Sequence, residues 1–255
     1  MGKRVLTAIV GIAVVVAFLG IGRVGFGLLW LLGGLMLIEE WRRGEGLPWP
    51  WALAFALFSV LLWVAPLYPY GWKVFVGAVL VGLGASVFFL EPKRDLDAFY
   101  RVVWGMAFVS VGWGAILWLF WPRYAMSSVL AFLSLVWVAD TAAYLTGKAV
   151  GRLRILPRVS PHKTWEGLVG SVLATAAWGH WAVPWSGLPD QGLPGALLGA
   201  GVALVAFWGD AWESAWKRKK DLKDSGALLP GHGGVWDRVD AMLWVAAAWY
   251  LLLAS

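Results

Sequence analysis

The sequence predicts an all-α polytopic integral membrane protein with about nine transmembrane helices and a cytoplasmic N-terminus. Hydrophobic residues make up 60% of the chain and charged residues only 14%, whereas soluble domains carry about 25% charged residues. Apolar stretches recur from one end of the chain to the other, without a polar block of domain size between them. The Lys and Arg residues gather in every second loop, as expected for the cytoplasmic loops of a membrane protein.

Each predicted helix is an apolar segment that approaches the ~20 residues needed to cross a bilayer. In order, they lie at about 5–21, 24–38, 50–66, 73–90, 102–120, 126–146, 166–184, 195–216 and 237–254. No Ala-x-Ala-like cleavage site follows the first segment, so it is interpreted as a span and not as a signal peptide. We expect residues 1–255 to form a single membrane-embedded domain, with N-terminal transmembrane helices in 1–125 and a C-terminal transmembrane region in 126–255.

The distribution of Lys and Arg predicts the orientation of these helices. With the N-terminus on the cytoplasmic side, all but three of the 21 Lys and Arg residues fall in cytoplasmic loops, the exceptions being Arg23, Lys73 and Arg123. This asymmetry follows the positive-inside rule. The formal net charge of +6 therefore reflects basic residues that line the cytoplasmic side of the membrane. They attract anionic lipids and nucleotides. No motif indicates nucleic-acid binding.

The amino-acid composition limits which side chains are able to carry out chemistry. The chain has no cysteine, which excludes disulfides, thiolate metal sites and cysteine nucleophiles. Many of its 21 Trp residues stand near predicted span ends, where tryptophan anchors helices at the membrane interface. The remaining candidates for chemistry are carboxylates, basic residues, hydroxyls and glycine-rich backbone.

Two polar sites stand beside the sixth and seventh predicted spans. Asp140 lies near the cytoplasmic end of the sixth span, and an ionisable residue inside a span is a functional candidate, or else a structural partner of a nearby base. The second site, residues 160–167, reads Ser-Pro-His-Lys-Thr-Trp-Glu-Gly. Ser160 and Thr164 are able to cap the following helix. Alternatively, Ser160, Lys163 and Thr164 present donors to a phosphate at its N-terminus. The residues leave both interpretations open.

Further acids and bases flank the last two spans. Asp210, Glu213, Ser214 and Lys217 share one helix face, because they are spaced i, i+3, i+4 and i+7. Asp237 and Asp240 share a face of the ninth span, and we expect the Asp237 carboxylate within about 6 Å of that of Asp210, close enough to share a cation or its waters. We expect Glu213 to be structural, paired with Lys217 at i, i+4.

The segment between these two spans combines acids, bases and a flexible loop. Lys223-Asp224 and Asp237-Arg238 place an acid beside a base on either side of residues 230–234, Pro-Gly-His-Gly-Gly. Glycines allow close backbone approach, and His232 is placed to contact a phosphate. Residues 217–220, Lys-Arg-Lys-Lys, are also typical of an ordinary juxtamembrane basic cluster. Acids for a cation and bases for phosphates indicate metal-assisted chemistry on a phosphorylated substrate.

These residues resemble the signature of the phosphatidate cytidylyltransferase (CDP-diacylglycerol synthase) family. The signature corresponds here to Ser214, Lys217-Arg218, Lys223-Asp224, Leu229-Pro230, His232-Gly233-Gly234, Asp237-Arg238 and Asp240. Gly209-Asp210, the 160–167 block and Asp140 with Ala143-Tyr144 are also similar to that family. Trp216, His162 and Ser171 depart from its usual residues, without removing a proposed ligand. The resemblance is strong in the C-terminal half only.

The resemblance implies that the protein transfers the cytidylyl group of CTP to phosphatidate, giving CDP-diacylglycerol and pyrophosphate for phospholipid biosynthesis. It implies Mg²⁺ and a second cation, a homodimer, a place in the cell inner (cytoplasmic) membrane, and an active site at the cytoplasmic membrane face formed by 126–255. The implied metal ligands are Asp210 and Asp237, and the implied catalytic residues are Asp140, Lys223, Asp224 and Asp240. The implied substrate-binding residues are Ser160, Lys163, Thr164, Ser214, Lys217, Arg218, His232, Gly233, Gly234 and Arg238.

Two other functions are compatible with the same residues. A related CTP-dependent lipid kinase would share the nucleotide and metal groups but transfer a different phosphorus. A transporter would use Asp140 and Asp210 in an ion pathway, but it predicts acids near the bilayer midplane and helix breaks within spans. Here the acids gather at one edge of the predicted spans.

Overall fold

The computed structural model describes residues 2–47, 96–121, 125–187, 193–222, 224–226 and 233–253, together with 49, 53, 56, 57, 59 and 60. We number the helices and strands with defined bounds in chain order. The helices are α1 (Gly2–Gly20), α2 (Arg23–Glu45), α3 (Leu96–Phe120), α4 (Met126–Val150), α5 (Trp165–Ser186), α6 (Gly195–Lys219) and α7 (Trp236–Leu253). The strands are β1 (Arg154–Leu156) and β2 (Ser160–Thr164).

Seven of the predicted spans are helices in the structure, α1 to α7, and most of their ends agree with the prediction to within a few residues. Among the described residues, α2, α4 and α6 are long and apolar enough to cross a membrane. The predicted span at 73–90 lies outside the described residues, and of the one at 50–66 only five positions are described. The total of nine spans and their orientation therefore stay predictions.

The expectation of an all-α chain is incomplete, because a small antiparallel sheet lies between α4 and α5. Strands β1 and β2 pair with Arg154 opposite Thr164 and Leu156 opposite Ser160, with an irregularity between the two pairs. Thr164, at the end of β2, caps α5 by accepting a hydrogen bond from the Gly167 amide at 3.1 Å. The sequence indicated this cap, and the sheet adds the direction from which the chain enters it.

The chain folds into two compact units, residues 1–122 with 225–236 and residues 123–224 with 237–255. The first unit contains α1, α2, α3 and the segment that precedes α7. Its core is rich in tryptophan: the Trp30 and Trp113 indoles each donate to the other residue's backbone carbonyl, at 2.8 and 2.9 Å. Pairing both indole N–H groups satisfies polar atoms that lipid would leave without a partner.

In the second unit, α5 packs against both α4 and α6. Small residues allow α5 and α6 to approach closely, since a Cβ atom at Gly179 would lie 3.0 Å from the Gly199 Cα. The α4–α5 contact includes a buried hydrogen bond, in which the Ser171 hydroxyl donates to the Ala139 carbonyl at 2.7 Å. This helix packing holds the ends of α4 and α6 and strand β2 around the polar residues described next.

Candidate active site

One face of α6 carries the acids and bases that the sequence grouped together. The Ser214 hydroxyl donates to Asp210 Oδ1 at 3.3 Å, and Lys217 Nζ lies 2.8 Å from Glu213 Oε2. Both contacts join residues four apart, one helical turn. The predicted shared face and the predicted Glu213–Lys217 pair are therefore confirmed.

Lys217 also joins α6 to the first turn of α7. Its ammonium donates to Asp237 Oδ1 at 2.7 Å, so it pairs with two carboxylates at once. The three side chains are largely shielded from solvent, with 14% of Lys217, 3% of Glu213 and 7% of Asp237 exposed. Burying this charge requires the pairing, because isolated ions at such sites are strongly penalised.

Three carboxylates converge beside this ion pair. Asp210, Glu213 and Asp240 each offer an oxygen, and these oxygens lie within 4.8 Å of one another. Glu213 Oε1 is buried and has no hydrogen-bond partner among the described residues. An unsatisfied buried carboxylate oxygen is costly, and a divalent cation would satisfy it. The cluster contains Asp240 where the sequence suggested Asp237, and it adds Glu213. The predicted approach of Asp237 to Asp210 stays a prediction.

A base from β2 contacts the same cluster. Lys163 Nζ lies 2.7 Å from Asp210 Oδ2 and donates to the Phe207 carbonyl at 3.3 Å. The ammonium also stands 4.7 Å from the centre of the Phe207 ring, within the range of a cation–π contact. The side chain of Lys163 is 14% exposed and that of Asp210 40% exposed, so Asp210 is the member of the pair that solvent reaches more easily.

A cavity of about 230 Å³ opens beside Lys163, among α4, α5, α6, β2 and α7. It is smaller than typical ligand pockets of about 300–1,000 Å³, so it suits part of a ligand. The polar lining residues are Asp140, Tyr144, Ser160, His162, Lys163, Thr164, Ser171 and Asp210, and the others include Val136, Ala139, Ala143, Leu168, Ala203 and Ala206. The cavity thus combines phosphate-binding residue types with apolar walls.

The hairpin that carries Lys163 is fixed to the start of α5. The Glu166 carboxylate accepts hydrogen bonds from the backbone amides of Arg152 and Leu153, at 3.1 to 3.3 Å. Glu166 stands in the first turn of α5, where an acid is favourable. In the structure it also holds the chain entering β1, which sets the position of the paired strand β2.

The other predicted site residues fall into three groups. Arg218, Asp224 and Arg238 are exposed residues of the second unit. Lys223 and His232 lie outside the described residues. Gly233 and Gly234 belong to the first unit, where Gly234 is buried.

Sequence reasoning did not identify Glu40, a buried carboxylate of α2. It accepts hydrogen bonds from the amides of Val235 and Trp236, in the segment that carries the glycine-rich motif. The sequence did indicate that Glu40 is unusual, because an acid in an apolar helix is costly unless it has partners. Its partners lie almost two hundred positions further along the chain, so local spacing does not reveal them.

Comparison with known proteins gives one family along the whole chain. The sequence profile of the cytidylyltransferase family matches residues 2–255. The phosphatidate cytidylyltransferase of Pseudomonas aeruginosa is 42% identical over 161 residues, 58% of this chain and 59% of that protein. The phosphatidate cytidylyltransferase of Brucella suis is 31% identical over 266 residues, 97% of this chain and 91% of that protein. The uncharacterized protein YnbB of Escherichia coli is 34% identical over 211 residues, 79% of this chain and 66% of that protein.

Proposed function

The chain belongs to the cytidylyltransferase family, and we propose that it transfers the cytidylyl group of CTP to phosphatidate. In this reaction a phosphate oxygen of the lipid attacks the α-phosphorus of CTP. The bond from that phosphorus to the β-phosphate oxygen breaks, and CDP-diacylglycerol and pyrophosphate are released. Both reactants are anions, so the protein must offset their repulsion and align the attack.

The carboxylate cluster beside Lys163 and Lys217 is the observation that supports this proposal most directly. Asp210, Glu213 and Asp240 bring oxygens within 4.8 Å of one another, and two ammonium groups lie within 2.8 Å of members of the cluster. Nucleotidyl transfer needs both charges, because acids hold a cation while bases hold the phosphates.

The cluster fits Mg²⁺, which takes oxygen ligands and is commonly bound by one or two carboxylates together with substrate phosphates. Asp210, Glu213 and Asp240 would hold the ion, and Glu213 Oε1 is the oxygen without another partner. Bound there, the cation would neutralise charge on the triphosphate. A second cation remains part of the proposal, with Asp237 as a ligand from the neighbouring turn of α7.

The bases around the cluster would bind and orient the phosphates. Lys163 pairs with Asp210, and both residues line the cavity, so the Lys163 ammonium is placed to contact a phosphate bound there. Ser160 and Thr164 line the same cavity and add hydroxyl donors. We propose that the cavity takes the phosphate and glycerol of phosphatidate, with its apolar walls facing the acyl chains. Lys223, His232 and Arg238 are proposed contacts of CTP.

The proposed location follows from the two substrates, and the proposed assembly is the one that the family resemblance implies. CTP is water-soluble and phosphatidate lies in the bilayer, so we place the site at the cytoplasmic face of the inner membrane, in the catalytic region 126–255. The basic rim of the cytoplasmic loops favours anionic substrates there. We further propose a homodimer, and no role for nucleic acid.

The test is product identification with the purified full-length protein in detergent–lipid micelles, supplied with CTP, phosphatidate and Mg²⁺. We expect CDP-diacylglycerol and pyrophosphate. In Asp210→Asn and Asp240→Asn, kcat should fall by about 10²-fold or more, as when one electrostatic contact to a transition state is removed. Asp221→Asn is the matched control, because Asp221 is exposed and its positive φ of 53° suits asparagine.

The products distinguish nucleotidyl transfer from lipid phosphorylation, and the variants test the carboxylate cluster. CDP together with a phosphorylated lipid would show a kinase and overturn the proposed transfer. No product from a folded parent that binds CTP would overturn it as well. Product formation at the parental rate by Asp210→Asn and Asp240→Asn would keep the reaction and remove the carboxylate cluster from it. A loss in Asp237→Asn alone would favour the metal ligand that the resemblance implied.

A further inference from the structure

Glu40 is a buried acid that the proposed chemistry does not use. It lies in α2 with 5% of its surface exposed, between the buried residues Ile38 and Trp41. Burying a carboxylate in an apolar helix is costly unless hydrogen bonds or charges compensate. The neighbouring acid Glu39 is different, because it pairs with Arg42 and Arg43 of its own helix. Glu40 therefore requires a separate explanation.

Among the residues that the structure describes, the hydrogen-bond partners of Glu40 lie in the segment 225–236. The Val235 amide donates to Oε1 at 2.7 Å, and the Trp236 amide donates to Oε2 at 2.8 Å. The Ser225 hydroxyl donates to Oε2 at 3.3 Å. One carboxylate thus binds both ends of the segment, and at its downstream end it accepts the amides where α7 begins. A carboxylate suits this place, since both of its oxygens accept hydrogen bonds and the helix N-terminus is positively polarised.

Glycines at both ends allow the segment to lie against this carboxylate. A Cβ atom at Gly226 would stand 3.0 Å from Glu40 Oε1, and one at Gly234 would stand 2.5 Å from Oε2. Beside these contacts, the indole of Trp41 stacks on that of Trp236, with ring centres 5.1 Å apart. The Trp236 side chain is 1% exposed. Shape, hydrogen bonding and stacking therefore all fix residues 225–226 and 234–236 on α2.

This segment contains the glycine-rich motif and is continuous with acids of the proposed site. Asp224 directly precedes it, Asp237 directly follows it, and His232 lies within it. We propose that Glu40 is a positioning residue for nucleotidyl transfer: its carboxylate anchors Ser225, Val235 and Trp236, and so fixes the start of α7, directly before Asp237, for CTP. This inference rests on the proposed function. It gives the N-terminal half of the chain a part in the reaction.

The test compares Glu40→Gln, Glu40→Asp and the control Glu39→Gln by steady-state kinetics with CTP and phosphatidate. Glutamine keeps the size of glutamate but replaces one acceptor by a donor, which would face a backbone amide. Aspartate keeps both acceptors but is shorter. We expect Glu40→Gln to lower kcat/KM for CTP by about 10- to 100-fold, as misplacement of catalytic groups by about 1 Å does. Glu40→Asp should retain more activity than Glu40→Gln, and Glu39→Gln should match the parent.

A packing role predicts the opposite order, because the isosteric glutamine would then be tolerated better than the shorter aspartate. Activity of Glu40→Gln equal to or above that of Glu40→Asp would therefore overturn the proposal. So would a loss of the same size in Glu39→Gln.

Amide hydrogen exchange supplies a readout that does not need activity. In Glu40→Gln the peptide containing Val235 and Trp236 should exchange faster than in the parent, while peptides of α4 and α5 should not change. Unchanged exchange at Val235 and Trp236 would overturn the anchoring. If the parent makes no CDP-diacylglycerol, the proposed function fails, and the exchange result decides the role of Glu40 independently.

Gly226→Ala provides a second variant for the case in which Glu40→Gln does not fold. Its added methyl group would press on the carboxylate at 3.0 Å, which requires a shift of only a few tenths of an ångström. We expect a several-fold loss of kcat/KM for CTP and faster exchange at Val235 and Trp236. Gly11→Ala is the matched control, since a Cβ atom there meets nothing within 4 Å. Equal kinetics and exchange in the two glycine variants would refute the anchoring role.

Discussion

Replacing Lys217 by methionine should destabilise the second unit through the two carboxylates that the lysine pairs. The ammonium lies 2.8 Å from Glu213 and 2.7 Å from Asp237. Methionine keeps a similar length without the charge, so the variant leaves both acids buried beside each other. Removing one partner of a buried ion pair costs about 3–5 kcal/mol. Because 14% of the Lys217 side chain is exposed, we expect the lower end, about 3 kcal/mol.

The measurement is reversible unfolding of the full-length protein in mixed detergent micelles, compared with Lys219→Met. Lys219 is an exposed residue two positions along the same helix, and surface substitutions usually change stability by less than about 0.5 kcal/mol. Adding Asp237→Asn to Lys217→Met should remove one of the two unpaired charges. The double variant should therefore be more stable than the sum of the single changes by about 1–2 kcal/mol, within the usual range for contacting residues.

Two results would refute this reasoning. A loss below 1 kcal/mol in Lys217→Met, similar to Lys219→Met, would mean that the acids do not depend on this ammonium for their burial. Additive effects of Lys217→Met and Asp237→Asn would mean that the two side chains do not interact in the folded protein.

Three further predictions concern the helix contact, the cap and the cation. Gly209→Ala should destabilise the protein by about 1–3 kcal/mol, because its Cβ atom would lie 2.6 Å from Trp244. Gly201→Ala, with nothing within 4 Å, should be close to neutral in the same unfolding assay. Thr164→Ala should cost about 0.5–2 kcal/mol through the lost α5 cap, whereas Thr164→Ser should preserve it, and a thermal shift of equal size in both would contradict the cap. Chelation by EDTA should abolish CDP-diacylglycerol formation, and excess Mg²⁺ should restore it; activity that persists in EDTA would exclude the cation from the reaction.

The sequence predicted the α6 face well because helical spacing alone determines it. Residues three, four and seven apart share a face of any α-helix, and the contacts of Ser214 with Asp210 and of Lys217 with Glu213 follow directly. The bounds of the apolar helices were predictable for a similar reason, since long apolar runs have one stable form in lipid.

Contacts between elements were less predictable, because they depend on how each helix is rotated. Asp237 and Asp240 lie three apart, and nothing local decides which of them completes the carboxylate cluster. In the structure, Gly209 allows α6 to approach Ala241 and Trp244 of α7 closely, and Asp240 joins the cluster. The strands β1 and β2 were not predicted, because they are only three and five residues long and show no clear alternation of apolar and polar residues, and β2 contains Pro161.

The ion pair between Lys163 and Asp210 has a consequence for the order of ligand binding. Without ligands the two charges compensate each other, so a cation arriving at Asp210 displaces an ammonium, and an anion arriving at Lys163 displaces a carboxylate. Each ligand thereby removes the competitor of the other, and their affinities must rise together by the same factor. We expect CTP to bind more tightly with Mg²⁺ than without it in calorimetric titrations, and this difference to shrink in Lys163→Met. Because the charges of the ligand-free site compensate each other, the site favours binding of the metal and the nucleotide together over binding of either one alone.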